Sequence, residues 1–293
     1  MIDLLVLGDC NPDLLLVVGH DAPRFGQGET LVEAGRLQVG GSAAIAACAA
    51  ARLGLSTALV AAVGDDLFGR FMLDQVSARG VDVAACPVLA GIDTGITVAL
   101  VRDGDRAILT APGAIARLTT AMLPPTQKAS ARHLHVASYH LLDGLRAGLP
   151  ELVRAARATG ATVSVDPQGD ISGGGVRELR ELAPDLDVLF VNEAEQRQLG
   201  PVDGPLVVVK RGAEGAFART ADGDVEVRAP AVDAVDTTGA GDAFDAGFLA
   251  ARAAGMALPA ALELACACGA LSTRALGGVA AQPTLEEARA AIA

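Results

Sequence analysis

At 293 residues, 51% hydrophobic and with a formal net charge of −12, the chain can bury a large core, and its acidity excludes nucleic acid and anionic membrane surfaces as partners. With one Tyr, seven Phe and no Trp, that core has to be aliphatic, which suits buried parallel strands flanked by small-residue helices. The whole of 1–293 is expected to fold as one α/β domain.

Residues 3–8 (DLLVLG) are a short aliphatic run ending in glycine and predict a buried first strand. Asp9-Cys10-Asn11-Pro12-Asp13 follows. Polar groups just past the carboxyl end of a strand are where open α/β sheets bind ligands, although Asn-Pro-Asp is equally turn chemistry. Leu14 to Val18 and Glu29 to Val39 read as extended segments. Gly40-Gly41-Ser42 then opens a helix from Ala43 to Leu53, with Ser42 as its N-cap. Leu59 to Val63 predicts a strand and Leu67 to Arg79 a helix. Arg52 and Gly54 interrupt the apolar stretch from Ala43 to Val63, which makes it a helix followed by a strand and not a membrane span. Thr94 to Val101 and Arg106 to Thr110 are β-prone runs joined by Arg102-Asp103-Gly104-Asp105, a hairpin signal. These extended segments break a βαβ rhythm, so a small second sheet is expected from about 12–39 and 91–111, placed as a lid.

From residue 133 the rhythm is regular. Strands at His133–Ala137, Ala161–Val165, Asp187–Val191 and Leu206–Lys210, with a helix from Gly144 to Thr159, predict a parallel sheet covered on both faces. Their ends bring Ser138-Tyr139, Asp166-Pro167, Asn192-Glu193-Ala194-Glu195 and Lys210-Arg211-Gly212 to one crevice. His133 and His135 share a strand face and are expected to pack or hydrogen-bond, since no third ligand follows at metal spacing. Asn192 and Glu195 fit a capping box, and Gly212 to Gly215 a tight turn. Phe244 and Phe248, four apart, should anchor a helix from Ala240 to Ala253, and a second helix from Pro259 to Ala275 ends at Gly277-Gly278. The five cysteines lack CxxC spacing and are expected to be reduced, buried thiols of a cytoplasmic protein. The Met1-Ile2-Asp3-Leu4 start lacks the basic residues of a signal peptide. Neither a Walker A sequence nor GxGxxG occurs, which argues against P-loop and dinucleotide-binding folds.

One stretch carries chemistry: Asp236-Thr237-Thr238-Gly239-Ala240-Gly241-Asp242-Ala243-Phe244. Two glycines around an alanine let the backbone turn and present bare amides at a helix start, where the dipole favours an anion. Asp242, in the same first turn, can take a proton from an attacking hydroxyl while those amides hold the charge of a phosphoryl group. Residue by residue, the same stretch also reads as an ordinary N-cap with a first-turn acid.

DTTGAGDAF resembles, unbroken, the C-terminal signature of the ribokinase-like (PfkB) carbohydrate kinases. GDCNPD, GGSAA with ARLG, GDDLFG and NEAE resemble further segments of that family, in its order. The resemblance implies a ribokinase-like three-layer α/β/α fold with a mostly parallel central sheet and a small β-sheet lid over the sugar. It implies an ATP-dependent sugar kinase using Mg²⁺, with Asp242 as catalytic base and Gly239, Ala240 and Gly241 as anion hole. Asn11 and Asp13 would bind sugar hydroxyls, and Gly40 and Gly41 would let backbone approach the sugar; Tyr139, from its place at a strand end, is a further candidate for the substrate. Asn192, Lys210, Gly212, Gly215 and Thr237 would border ATP. Glu195 would shape the Mg²⁺ surroundings through water, and Asp236 is the candidate for a monovalent cation such as K⁺.

Ile45 is a departure, standing where the family commonly has Asn. It either makes one wall of the sugar pocket apolar or turns into the helix packing. A nucleoside kinase ranks lower, because the lid segments offer a base only Phe25, and a non-catalytic sugar sensor is opposed by Asp242, the cradle glycines and Glu195. Exposed lid strands pair edge to edge, so a homodimer through the lid is expected.

Overall fold

The aliphatic runs of the main sheet form strands because they are bounded by glycine or polar turn residues and are covered on both faces. The computed structural model describes residues 2–19, 25–102, 105–124, 131–169, 174–220 and 223–292. In chain order these contain β1 (Ile2–Leu7), β2 (Pro12–Val17), β3 (Ala34–Val39), α1 (Ser42–Arg52), β4 (Thr57–Val60), β5 (Val63–Gly64), α2 (Leu67–Ser77), β6 (Val88–Leu89), β7 (Ile96–Arg102) and β8 (Asp105–Ala111). The second half continues with β9 (Ala131–Val136), α3 (Asp143–Arg146), α4 (Leu149–Ala158), β10 (Thr162–Val165), α5 (Gly174–Leu182), β11 (Val188–Asn192), α6 (Glu193–Leu199) and β12 (Leu206–Lys210). It closes with β13 (Ala216–Thr220), β14 (Gly223–Val227), α7 (Ala240–Ala253), α8 (Leu258–Ser272) and α9 (Leu285–Ala290).

The main sheet has the order β14-β13-β12-β11-β10-β9-β1-β4. It is parallel from β12 to β4, and β13 and β14 add an antiparallel hairpin at one edge. β1 shows why helices lie on both sides: Leu4 and Val6 enter one apolar cluster with Ala47, Phe190 and Phe248, while Leu5 and Leu7 enter a second with Leu134, Leu152 and Leu189. A continuous apolar strand is stable only when both of its faces are covered. A separate four-stranded sheet, β3-β2-β7-β8, is the expected small second sheet, and β5 and β6 form a third, two-stranded one.

Several expectations are corrected. The helix read from Gly144 to Thr159 is two, α3 and α4, because Pro150 sits in the first turn of the second, where its missing N–H costs nothing. The strand read from Glu29 starts at Ala34. Ser42 does not cap α1. Gly41 is the N-cap residue, and Asp9 supplies the acceptor from a distance, its Oδ1 taking the Ala43 N–H at 2.9 Å. The β13–β14 hairpin, α5 and α9 had no reading in the sequence. Asp103-Gly104, the expected hairpin turn, lies outside the described residues, although β7 and β8 pair antiparallel on either side of it. All five cysteines are free and buried, and burial pushes the thiols of Cys48, Cys86, Cys266 and Cys268 up to about 12. Among the described residues no helix is long and apolar enough to cross a membrane.

Candidate active site

The cradle forms where α7 begins. Gly239, its N-cap, has φ 74°, and a Cβ there would lie 2.8 Å from both Gly278 Cα and Ile45 Cγ2, so both the backbone angle and the space demand glycine. The Ala243 N–H closes onto Gly239 O at 2.9 Å, which places the amides of Gly241 and Asp242 in the turn that a helix leaves to a cap or a ligand. Asp236 holds the approach: its Oδ1 accepts from Thr238 N at 2.9 Å and Thr238 Oγ1 at 2.7 Å, and its Oδ2 from Gly277 N at 2.7 Å. The residue proposed for a cation therefore already ties two loops together. Thr237 contributes its carbonyl, which accepts from Ala240 N at 3.2 Å.

Asp242 is 4% exposed, and Gln168 Nε2 donates to its Oδ1. Burial, reinforced by the Asp166 carboxylate, pushes its pKa up to about 8. Under the cradle, the ammonium of Lys210 pairs with Asp166 and, at 3.2 Å, with Asp245 Oδ1, both carboxylates fully buried. Burial works against each charge in this group. The Lys210 charge nevertheless holds Asp166 below the ordinary carboxylate range, and Asp166 and Asp245 hold the Lys210 ammonium above its own. Asp245 is pushed up by burial. A Cβ at Gly241 would sit 3.3 Å from Lys210 Nζ, so a positive charge abuts the helix start.

A second group of candidate residues is built on the first βα junction and the small sheet. Asn11 Nδ2 donates to Thr97 Oγ1 at 3.0 Å and to Asp13 Oδ1 at 3.4 Å. Asp13 presses on Gly40, where a Cβ would lie 2.0 Å from its Oδ1, and at Gly41 a Cβ would lie 3.0 Å from Asn11 Oδ1. Burial and the neighbouring Asp9 push Asp13 up to about 7. Arg106, on β8 of the lid, reaches the cradle: its Nη1 donates to Thr238 Oγ1 at 2.6 Å and lies 3.9 Å from Asp236 Oδ1. Sequence reasoning missed this contact, which spans 132 positions.

The capping box at the start of α6 is present as read, with Asn192 Oδ1 accepting from Glu195 N at 2.9 Å and Glu195 Oε2 from Asn192 N at 2.8 Å. Glu195 Oε1 also accepts from Gly169 N at 2.8 Å, and burial and Asp166 raise its pKa. Gly212 and Gly215 close the turn after β12, Gly215 N donating to Gly212 O at 3.1 Å. His133 and His135 hydrogen-bond as expected, sharing Ser164 Oγ at 2.7 and 2.8 Å, and burial lowers them to about 3 and about 4.

Tyr139 lies elsewhere than the sequence suggested, and Ile45 follows one of its two readings. Tyr139 packs into the second apolar cluster and donates its hydroxyl to Glu178 at 3.4 Å, so its ring is committed to the core and not to the sugar side. Ile45 is buried against the backbone of Gly239 and Gly278; of its two readings, packing beneath the cradle is the one the geometry favours.

The mostly parallel sheet, the small second sheet and a helix start carrying a buried aspartate at the strand ends are the arrangement of a ribokinase-like fold. A family model described as "pfkB family carbohydrate kinase" matches residues 1–285. The chain is 33% identical over 296 residues to an ATP-dependent ribose-1-phosphate kinase of Halopiger xanaduensis, covering 98% of this chain and 96% of that one. It is 32% identical over 284 residues to fructokinase-2 of Zea mays, covering 87% and 85%. Its fold matches that of the Arabidopsis thaliana ribokinase complexed with ribose and ATP, with a TM-score of 0.86 at 22% identity over 99% of this chain and 98% of that one. The chain thus belongs to the PfkB family of carbohydrate kinases.

Proposed function

We propose that the protein, acting as a single unit over its whole length, transfers the γ-phosphoryl group of ATP to a sugar hydroxyl, with Asp242 as the base. The observation that carries this reading is the buried Asp242 carboxylate in the first turn of the helix whose amides form the cradle, with the Lys210 ammonium against Gly241. The acceptor sugar enters between sheet and lid, where Asn11 and Asp13 hold its other hydroxyls and Gly40 and Gly41 allow close approach. Asp242 takes the proton of the attacking hydroxyl as the new O–P bond forms. The charge growing on the transferring group meets the amides of Gly239 and Gly241, that of Ala240 being shared with Thr237 O, and ADP leaves past Thr237, Asn192, Lys210, Gly212 and Gly215.

A Cβ at Gly241 would lie 3.3 Å from Lys210 Nζ, so a hydrogen there leaves the ammonium and the helix start open to a phosphate. Mg²⁺ would be carried mainly on ATP phosphates and water. Both oxygens of Glu195 are engaged by backbone amides, so it would reach Mg²⁺ through water. Bound Mg²⁺ supplies charge neutralisation to the phosphates. K⁺ is proposed beside Asp236 Oδ2, which accepts only from Gly277 N.

A sugar is favoured over a nucleoside because the lid row in register with Asp13 consists of Gln38, Thr97 and Thr110, which suit hydroxyls, and Phe25 is fully exposed. The test is ADP release with ribose, ribose 1-phosphate, fructose and adenosine. Turnover on a sugar or sugar phosphate is expected. Turnover on adenosine alone, or sugar binding without turnover, overturns the reading.

The opposite face of the lid carries Leu14, Leu16, Leu37, Val98, Leu100 and Leu109 in paired register, with Leu37 42% and Leu109 61% exposed. We read this apolar face as the lid contact of a cytoplasmic homodimer. Leu109→Glu is expected to convert a dimer to a monomer in sedimentation, and a monomeric wild type would remove the dimer.

A further inference from the structure

Gln168 is a residue that none of the motifs above singles out, yet it touches the aspartate at the centre of the site. Its backbone has φ 48°, and Ser138, opposite it at the end of β9, has φ 55°; the third non-glycine residue with positive φ among those described is Gln27. Neither Ser nor Gln is a type enriched in this left-handed region, and such strain persists where surrounding structure holds it in place. Here the two strained residues hold each other. Ser138 N and Ser138 Oγ both lie 3.1 Å from Gln168 Oε1.

That pairing fixes which way the amide points. A backbone N–H can only donate, so the group facing Ser138 N has to be the carbonyl oxygen, and the NH₂ end is turned to Asp242 Oδ1. The backbone N–H of Gln168 is anchored in turn on Asp166 Oδ1 at 3.2 Å, and Asp166 is itself held by Lys210. Gln168 is therefore a rigid donor bracket spanning β9, β10 and α7.

We propose that Gln168, oriented by Ser138, is the positioning residue that aims the Asp242 carboxylate and stabilises its ionised form for proton abstraction. This rests on the reading of Asp242 as base. The charged and titratable groups facing Asp242 are Asp9 after β1, Asp166 after β10, Lys210 at the end of β12 and Asp245 one turn on along α7. Asp9 and Asp166 disfavour its ionisation, and Lys210 and the Gln168 amide favour it. Removing the amide therefore makes ionisation harder, and the acid limb of the rate profile moves to higher pH.

The test uses Gln168→Met, which keeps the length and removes the donor, and Gln168→Gly, which also relieves the positive φ. Both are assayed as full-length protein with ATP and the best acceptor of the sugar panel, beside Asp242→Asn. Expected are a kcat lower by about a hundredfold, a KM for ATP within about threefold of wild type, and an acid limb of kcat/KM shifted upward by about one pH unit. Wild-type kcat in both variants, or a loss uniform across pH with the limb unmoved, overturns the proposal. Near-normal turnover in Asp242→Asn would instead remove the base on which it rests.

Discussion

Asp242→Asn is expected to lower kcat by about 10²-fold to 10⁴-fold, the range for removing a general base, while leaving the fold and ATP binding in place. The substitution is close to isosteric, and the asparagine carbonyl can accept the Gln168 amide as the carboxylate does, so packing around the site is kept. What disappears is the ability to take a proton. The wild type carries a second signature of the same group. Burial and Asp166 push Asp242 up to about 8, and a base works only when ionised, so kcat/KM should rise with pH through a limb near that value and flatten above it. The limb should be missing from whatever residual rate the variant shows. Turnover near wild type in Asp242→Asn, by a coupled ADP assay, would sink the mechanism.

What could be read from the sequence was local, and what could not was set by contacts between distant segments. The cradle lies within nine consecutive residues, and the capping box within four. Glycine at 239 has one physical meaning wherever a helix starts behind it. The parallel strands announced themselves by aliphatic runs that only a doubly covered sheet can bury. Gln168 had no such signal, because its role depends on a positive φ and on partners from β9 and α7. Arg106 looked like an ordinary polar position on a lid strand, and only the packing of lid on cradle gives it Thr238. Tyr139 was misplaced for a related reason: lying next to Ser138 at a strand end put it in the right neighbourhood, but the left-handed turn at Ser138 sends the aromatic ring into the core and leaves the serine facing the site. Asp245 follows Asp242 by three residues and so shares its helix face. That spacing was visible, but its ion pair with Lys210 requires β12 to end beneath α7.

The Lys210 pair gives the second large effect, on stability. Lys210→Met keeps most of the side-chain volume and removes the ammonium between Asp166 and Asp245, both fully buried. Breaking a buried pair by deleting one partner leaves an uncompensated charge and costs about 3–5 kcal/mol. The sign with pH follows from the two shifts. Asp166 is held below its ordinary range, so its contribution is present above the unfolded carboxylate pKa and is lost as pH falls through the lower folded value. Lys210 is held above its ordinary range, so its contribution is complete below the unfolded lysine pKa and is lost only as pH rises through the higher folded value. Between those limits, across the neutral range, the wild-type pair is intact. Without the ammonium, Asp166 loses the main charge that lowered it, and burial works against its ionised form with only the Asp245 hydrogen bond and His135 left to favour it. The folded variant then keeps protons that the unfolded chain releases, so its stability falls as pH rises from the unfolded carboxylate range toward neutral. Urea denaturation of both proteins at pH 5 and pH 8 should therefore show a deficit for Lys210→Met that is larger at pH 8. A deficit below about 1 kcal/mol, the scale of an exposed ion pair, or one that shrinks toward pH 8, would mean that Lys210 does not compensate the buried carboxylates beneath the cradle.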